Sequence, residues 1–196
     1  GPHHDVAIDV DEGTWLTVDI SPDGQPIVFD LLGDIYTMPA MGGDATAISS
    51  GVAWDMQPRF SPDGQWIAFT SDRAGGDNIW IVDKGGANPQ QVTKESYQLL
   101  NSPAWSPDGE WILYLADRQL RKVNLANGAS VTLADSVSVS TGFGGAAWLD
   151  DGRIIYGRWE YVDRPAIPIQ SLWTIHADGT MLRGFSATAC WIRRRS

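Results

Sequence analysis

The stretch SPDGQWIAF, residues 61–69, decides the fold of this chain. Its first four residues predict a tight turn, because Pro presets φ at the second turn position, Asp accepts hydrogen bonds from nearby backbone and Gly tolerates positive φ. The segments on either side, Met56–Phe60 and Trp66–Phe69, are rich in apolar and aromatic residues. The stretch therefore predicts a β-hairpin.

The same hairpin recurs along the chain. Ser-Pro-Asp-Gly stands at residues 21–24, 61–64 and 106–109, and a degenerate copy, Leu-Asp-Asp-Gly, stands at 149–152. Successive copies begin 40 to 45 residues apart, and this period is typical of a four-stranded propeller blade of about 40–50 residues. The repeat therefore predicts a chain built from about four such blades.

The other strands of each unit repeat as well. The predicted third strands are residues 34–38, 78–82, 120–124 and 171–175, and the predicted fourth strands are 45–49, 89–93 and 130–133. No segment has a sustained 3.6-residue period, so no long helix is expected. The predicted fold class is an all-β propeller of about four four-stranded blades, with the first strand of each blade nearest the central axis. An ordinary β-sandwich is the alternative, but a sandwich has no reason to repeat a whole four-strand unit.

The repeats also divide the chain. The propeller is predicted over residues 14–188, with blades at about 14–50, 51–94, 95–135 and 136–188. Residues 1–13 form an N-terminal extension or, through Asp5–Val10, a strand that closes the ring, and residues 189–196 form an irregular tail. Four blades either close into a ring, at the low end of the propeller range, or leave an incomplete propeller with open edges.

Composition excludes several classes of function. Lys and Arg number 14 against 24 Asp and Glu, a net charge of −10 that argues against nucleic-acid binding. No apolar run approaches the roughly 20 residues that span a bilayer, so no membrane insertion is expected. The single cysteine, Cys190, excludes a disulfide framework and a cysteine-rich zinc site.

The sequence contains no recognisable catalytic machinery. There is no Gly-x-Ser-x-Gly nucleophile motif. Only three histidines are present, and His3 and His4 are interpreted as part of a solvated chain end. We therefore predict no enzyme activity, no metal site and no cofactor, with one reservation: the polar loop 71–78 has carboxylate and amide oxygens of the kind that bind Ca²⁺.

The segment 158–170 differs most from the other blades, since it replaces a short inter-strand loop by a longer one. Trp, Tyr and Arg are enriched at binding hot spots, which makes this segment a candidate surface for a protein or peptide partner of neutral or basic charge. A loop folded back on its own blade is the alternative interpretation. A further alternative is a homodimer in which two copies of the chain pair through the open edges of their blades. The predicted partner-binding residues are Arg158, Trp159, Tyr161, Arg164, Asp55, Arg59 and Arg73.

The repeat resembles the TolB-like, WD40-like "PD40" propeller family. The resemblance lies in the Ser-Pro-Asp-Gly copies, the apolar strand after each, and third strands that begin Asp/Asn-Ile-Tyr/Trp, and it covers about residues 14–183. Residues 14–38, 53–60 and 70–80 are most similar to the N-terminal propeller of exported amidohydrolase-family proteins. The resemblance implies a periplasmic or extracellular setting, and as an alternative function a propeller that gates or supports an amidohydrolase or peptidase domain absent from this chain.

Overall fold

The computed structural model describes residues 10, 12–14, 16–96, 100–135, 145–162 and 167–185. Within these ranges the chain forms β-strands joined by turns and no helix, and hence no helix long and apolar enough to cross a membrane. The strands are β1 Val18–Ile20, β2 Pro26–Leu31, β3 Asp34–Pro39, β4 Thr46–Ser49, β5 Asp55–Phe60, β6 Trp66–Ser71, β7 Asn78–Asp83, β8 Gln90–Gln91, β9 Leu100–Trp105, β10 Trp111–Ala116, β11 Gln119–Asn124, β12 Ser130–Ala134, β13 Ala146–Trp148, β14 Arg153–Val162, β15 Ile167–His176 and β16 Met181–Phe185.

The strands form four antiparallel four-stranded sheets. Each sheet takes four consecutive strands in chain order, so sheet 1 holds β1–β4 and sheet 4 holds β13–β16. The first strands of successive sheets contact one another, β1 with β5, β5 with β9 and β9 with β13. This arrangement confirms the predicted all-β propeller of four-stranded blades.

The Ser-Pro-Asp-Gly turns have the predicted chemistry. In sheet 2 the Ser61 hydroxyl donates to Asp63 at 2.5 Å, and Asp63 Oδ1 accepts from the Gln65 N–H at 3.0 Å. The Ser61 hydroxyl oxygen also accepts from the N–H of Trp66 at 2.9 Å. The fourth residue has φ of +67° at Gly64, a backbone region in which glycine carries no steric cost. The glycines of the other three copies lie between +70° and +79°.

These turns make stability depend on pH. The serine hydroxyl, and then the backbone N–H, hold the pKa of Asp63 and of Asp108 below the ordinary value. Such carboxylates stabilise the fold above their unfolded pKa of about 3.9, and the contribution is lost as pH falls through the lower folded pKa. We expect the free energy of unfolding, measured with urea, to fall between about pH 5 and about pH 3. The Asp63→Asn, Asp108→Asn double variant should lose less free energy of unfolding over this pH range than the parent protein. An equal loss in the two proteins would show that these carboxylates are not the groups responsible.

The hydrophobic core lies between the blades. Three clusters of buried side chains each join two neighbouring sheets. Sheets 1 and 2 share Val28, Ile35, Phe60, Ile67, Phe69 and Val82; sheets 2 and 3 share Ala68, Ile79, Ile81, Ile112, Tyr114, Ala116 and Val123; sheets 3 and 4 share Leu113, Leu115, Leu120, Leu133, Ala146, Ile154, Tyr156 and Ile175. Alternate residues of β6 and β10 enter different clusters, because successive side chains of a strand point to opposite faces.

The four blades form an open arc over the described residues. Sheet 4 does not pack against sheet 1, as expected for an incomplete propeller. The predicted closing strand, Asp5–Val10, lies outside the described residues except for Val10, which is exposed and belongs to no strand.

One prediction is wrong in detail. The segment 158–170 is not a long loop, because β14 and β15 pair from Arg153↔His176 through Val162↔Ile167 as one extended hairpin. Prolines suggested a loop, yet Pro168 pairs with Tyr161 of β14, beyond the described pairing of β15 with β16. A proline is tolerated in a strand where its missing N–H costs no ladder bond.

Four tryptophans of the strands are half-buried between the blades: Trp66, Trp80, Trp111 and Trp148. Trp66, Trp80 and Trp148 pack against the three clusters, while the Trp111 ring lies 4.0 Å from Lys122 Nζ. Within this group of four, Trp66 and Trp111 occupy equivalent positions, each starting the strand after a Ser-Pro-Asp-Gly turn.

Candidate functional site

The propeller presents two opposite ends. We call one the loop face; it carries the connections between the second and third strands and those between successive sheets, residues 32–33, 50–54, 72–77, 92–96 and 117–118. We call the other the turn face; it carries the Ser-Pro-Asp-Gly turns and the turns between third and fourth strands. Among the described residues the loop face gathers connections of sheets 1 to 3 on a rigid scaffold, as binding surfaces commonly do.

A charged cluster on the loop face joins sheets 1 and 2. Arg73 Nη2 lies 2.6 Å from Asp55 Oδ2 and donates to Ser49 Oγ at 2.7 Å, and the Ser49 hydroxyl donates to Asp55 at 2.6 Å. The Asp55 side chain is 1% exposed and that of Arg73 is 23% exposed. The Asp55 N–H also donates to Gly33 O, at 2.8 Å, across the contact between sheets 1 and 2. The structure thus brings together two of the predicted site residues.

Aromatic rings fix the Arg73 guanidinium. Its Cζ lies 5.1 Å from the ring centroids of both Phe69 and Trp80, within cation–π range, and its Nε donates to Ser71 Oγ at 2.9 Å. Phe69 and Trp80 face each other across β6 and β7 because they are register partners. Sequence reasoning missed both rings as parts of this cluster, although their register could have been read from the repeat.

Arg59 does not join the cluster. It pairs with Ala68 towards the turn end of β5, whereas Asp55 pairs with Ser71 at the loop end. Its Nη1 donates to the neighbouring Pro58 carbonyl at 2.8 Å. Arg59 thus lies four positions along β5 from Asp55, beyond a bulge, and its part in a partner-binding surface stays a prediction.

The extended hairpin of sheet 4 projects from the loop face. Strands β14 and β15 have ten residues each, whereas β6, β7, β10 and β11 have six. Arg158 lies at the base of the extension, with its Cζ 5.0 Å from the Trp173 ring. Trp159 and Tyr161 belong to β14, and Arg164 lies outside the described residues. Arg158 and Arg73 thus occupy the same end of the propeller, each held on a third-strand tryptophan.

Sequence reasoning did not find a second charged cluster, which lies between sheets 2 and 3. Arg121 Nη1 lies 2.8 Å from Glu95 Oε1, the Tyr114 hydroxyl donates to the same oxygen at 3.1 Å, and Tyr114 Oη is 2.6 Å from Ser130 Oγ. Burial of the Tyr114 phenol raises its pKa above the usual value. Glu95, Tyr114 and Ser130 line a groove of about 490 Å³ between sheets 2 and 3. No sequence motif marks this cluster, since its members come from three separate strands and a connection.

Two side-chain oxygens of the loop 71–78, interpreted as a Ca²⁺ candidate, accept hydrogen bonds within the fold. Asp72 Oδ1 accepts from the Trp54 N–H at 2.8 Å, and Asn78 Oδ1 accepts from Thr93 Oγ1 and from the Glu95 N–H. Burial, reinforced by the charge of Asp72, raises the pKa of Asp77. In the part of the chain that the structure describes, no three His, Cys, Asp or Glu residues are grouped as a metal site.

The turn face has grooves of its own. One lies between each pair of successive turns, with volumes of about 530, 560 and 240 Å³. Lysines Lys84 and Lys122 line the first and the third of these grooves, beside aspartates of the turns. The turn face is therefore the rival surface for any partner of this chain.

Comparison with known proteins agrees with this architecture. An uncharacterized protein of Agrobacterium fabrum is 36% identical over 81 residues, which are 39% of this chain and 28% of that protein. The Tol-Pal system protein TolB of Bordetella pertussis is 40% identical over 58 residues, 29% of this chain and 13% of that protein. A TolB-like structure from Agrobacterium tumefaciens superposes with a TM-score of 0.65 at 22% identity, covering 83% of this chain and 58% of that one.

The matches cover less than a third of the length of each of these two curated relatives. The profile of the tricorn protease N-terminal β-propeller domain matches residues 16–166, which include the first three sheets and strands β13 and β14 of the fourth. The chain belongs to the tricorn N-terminal β-propeller family, with TolB-like proteins among its relatives.

Proposed function

We propose that this propeller is a non-catalytic interaction module that binds a protein or peptide partner on its loop face. The observation that carries the proposal is the fixed presentation of Arg73, whose guanidinium is 23% exposed yet held by Asp55, Ser49 and two rings. An arginine already held in one geometry loses little side-chain entropy when a partner binds. Arginine and aromatic side chains are also the usual energetic centres of protein interfaces.

The extended β14–β15 hairpin supplies the second half of the proposed surface. It carries Trp159 and Tyr161 beyond the length of the other second strands, on the end of the propeller that holds Arg73. The Arg158 guanidinium lies over the Trp173 ring of β15, and this contact stabilises the base of the hairpin. A net charge of −10 favours a partner of neutral or basic charge.

A gating role for a hydrolase domain is the second candidate function. It is favoured by the match to a propeller that the family description places in a protease. In both cases the propeller itself would carry no catalytic residues and need no cofactor, and its proposed location is periplasmic or extracellular, by analogy with the TolB relatives. Ca²⁺ binding to the loop 71–78 is a third candidate, in which Asp72 Oδ1 and Asn78 Oδ1 already accept hydrogen bonds from the fold.

The proposal is tested by changing the hairpin. The Trp159→Ala, Tyr161→Ala, Arg164→Ala variant should bind proteins retained from an extract of the source cells at least tenfold more weakly than the parent, as expected for hot-spot truncations above about 1.4 kcal/mol. Asp44→Ala, in an exposed turn-face loop, is the matched control and should keep full affinity. A folded triple variant with undiminished affinity would refute the loop-face assignment.

A further inference from the structure

The three turn-face grooves occupy equivalent places in the repeat. We call them grooves 1, 2 and 3; they lie between sheets 1 and 2, sheets 2 and 3, and sheets 3 and 4. Each is lined by the first residue of one sheet's second strand and by the last residue of the next sheet's first strand. The first of these positions holds Pro26, Trp66 and Trp111, and the second holds Phe60, Trp105 and Trp148. The three grooves can therefore be compared residue by residue.

Groove 3 contains a lysine that lies between an aromatic ring and carboxylates. The Lys122 Nζ is 4.0 Å from the centroid of the Trp111 ring, within cation–π range. Asp108 and Asp150 line the same groove. Burial lowers the pKa of Lys122, and the negative charges of Asp108 and Asp178 oppose this effect. Groove 3 thus shows how this repeat accommodates an ammonium group.

Groove 2 has an isoleucine where groove 3 has the lysine. The register pair Ala68↔Ile81 of sheet 2 matches the pair Leu113↔Lys122 of sheet 3, since each lies two residues into its second strand. Ile81 lines groove 2 and is 8% exposed. Isoleucine is shorter than lysine and carries no charge. Groove 2 accordingly has a volume of about 560 Å³, against about 240 Å³ for groove 3.

The other walls of groove 2 are suited to a cation. Trp66 and Trp105 line it, and both are half-buried. Asp63 and Asp108 line it as well, with exposed side chains. The serine hydroxyls of the turns, and then the backbone N–H groups, hold the pKa of both aspartates below the ordinary value, so both are ionised at neutral pH. Groove 2 therefore combines aromatic rings with two negative charges.

The neighbouring grooves carry their own positive charge. Grooves 1 and 3 each combine two aspartates with one lysine, Lys84 in groove 1 and Lys122 in groove 3. The described residues that line groove 2 include two aspartates and no Lys or Arg. Arg59 lies on the same face of sheet 2, but its guanidinium donates to the preceding carbonyl and does not line the groove. The negative charge of groove 2 is thus left without a cation from its own walls.

We propose that groove 2 binds a lysine side chain of a basic peptide or protein, with the ammonium group over the Trp66 ring as Lys122 lies over Trp111 in groove 3. The two aspartates provide charge complementarity to the ammonium group. The methylene stem of the lysine packs against the apolar wall, as the stems of long cationic side chains commonly do. The site is on the turn face, so the inference is independent of the partner proposed for the loop face.

The test is an NMR titration of the full chain with two synthetic peptides. One is acetyl-Gly-Lys-Gly-amide, and the other has norleucine, which lacks the ammonium group, in place of lysine. The lysine peptide should shift the indole N–H signals of Trp66 and Trp105 saturably, with a Kd on the order of a millimolar, as expected for a cation–π contact with exposed charge pairs. The norleucine peptide should bind at least tenfold more weakly. Equal binding of the two peptides, or no saturable shift well above the expected Kd, would overturn the proposal.

Filling groove 2 from within should prevent binding. Ile81→Lys introduces an ammonium group at the position that Lys122 has in groove 3, and it should weaken binding of the lysine peptide at least tenfold. Val131→Lys is the matched control, because it adds the same charge at a 42% exposed position on the outer strand β12, outside groove 2. It should bind the peptide like the parent protein. A folded Ile81→Lys variant with the parent's affinity would overturn the proposal.

The converse variant empties groove 3. Lys122→Met should create a second site, so the Trp111 indole N–H should now respond to the lysine peptide and the stoichiometry should rise from one to two. Lys122 is only half-buried, so this test does not depend on whether Ile81→Lys folds. No response of Trp111 in the folded variant would contradict the equivalence of the two grooves. These substitutions leave the loop face unchanged, and binding of a loop-face partner should therefore persist in all of them.

Discussion

Replacing Gly86 by Ala should destabilise the protein by about 3 kcal/mol or more, as for severe overpacking against a rigid neighbour. A Cβ at this position would lie 2.2 Å from the backbone oxygen of Ile48 and 2.9 Å from its carbonyl carbon. Ile48 belongs to β4 of sheet 1, so the β7–β8 turn of sheet 2 touches the backbone of the neighbouring blade. A backbone atom cannot rotate away as a side chain can, and the blades would have to separate.

Two neighbouring glycines provide the controls in a urea unfolding series. Gly85→Ala should be nearly neutral, because its Cβ would meet only the Asp83 carboxylate at 3.5 Å. At Gly42, φ is +93° and no atom lies within 4 Å of an added Cβ. Gly42→Ala therefore measures only the cost of holding alanine at positive φ, for which a loss of about 1 kcal/mol of unfolding free energy is expected. If Gly86→Ala were no more destabilising than Gly42→Ala, the close approach of the two blades would be wrong.

Removing the Asp30 carboxylate should cost about 2–4 kcal/mol of unfolding free energy, since each buried donor left unpaired costs about 1–3 kcal/mol. Asp30 is 7% exposed, and its two oxygens accept from the Thr17 and Gln57 N–H groups, each at 2.7 Å. Gln57 belongs to β5, so this carboxylate ties sheet 1 to sheet 2. Gln57 also has a left-handed φ of +59° at a bulge, a conformation that needs such support.

The Asp30 series is measured by urea denaturation. Asp30→Ala should show the full loss. Asp30→Asn should show a smaller one, because the amide keeps one acceptor oxygen. Asp44→Ala removes an exposed carboxylate from the same sheet and should change stability by less than about 0.5 kcal/mol. An Asp30→Ala variant as stable as Asp44→Ala would show that the contact between sheets 1 and 2 does not depend on the Asp30 carboxylate.

The four blades could be predicted from the sequence because each β-hairpin is specified by residues within that hairpin. Ser61, Asp63 and Gly64 act only on neighbouring backbone, and the structure confirms the role given to each. Most of the other strands follow from the same logic, since alternation and turn residues recur along the chain. The strand β16 was not among the predicted fourth strands.

The site could be predicted only in part because it depends on register between strands. Asp55 and Arg73 were identified, yet Phe69 and Trp80, which hold Arg73, become neighbours only through the β6–β7 pairing. The position of Arg59 relative to Asp55 depends on a bulge in β5, which composition does not reveal. The hairpin at 158–170 was interpreted as a loop because an edge position, where proline is harmless, cannot be recognised before the sheet is known.

The central claim, that the loop face carries the partner site, is tested most directly by blocking one end of the propeller at a time. Val52 on the loop face is 107% exposed and Met41 on the turn face is 97% exposed, so a cysteine at either position can be labelled without disturbing the core. In a Cys190→Ser background, Val52→Cys and Met41→Cys are each coupled to a maleimide-linked polyethylene glycol, and binding to the proteins retained by the unlabelled chain is measured. The account predicts that the label at Val52 abolishes binding while the label at Met41 leaves it intact; loss of binding on labelling Met41, with Val52 unaffected, would contradict it.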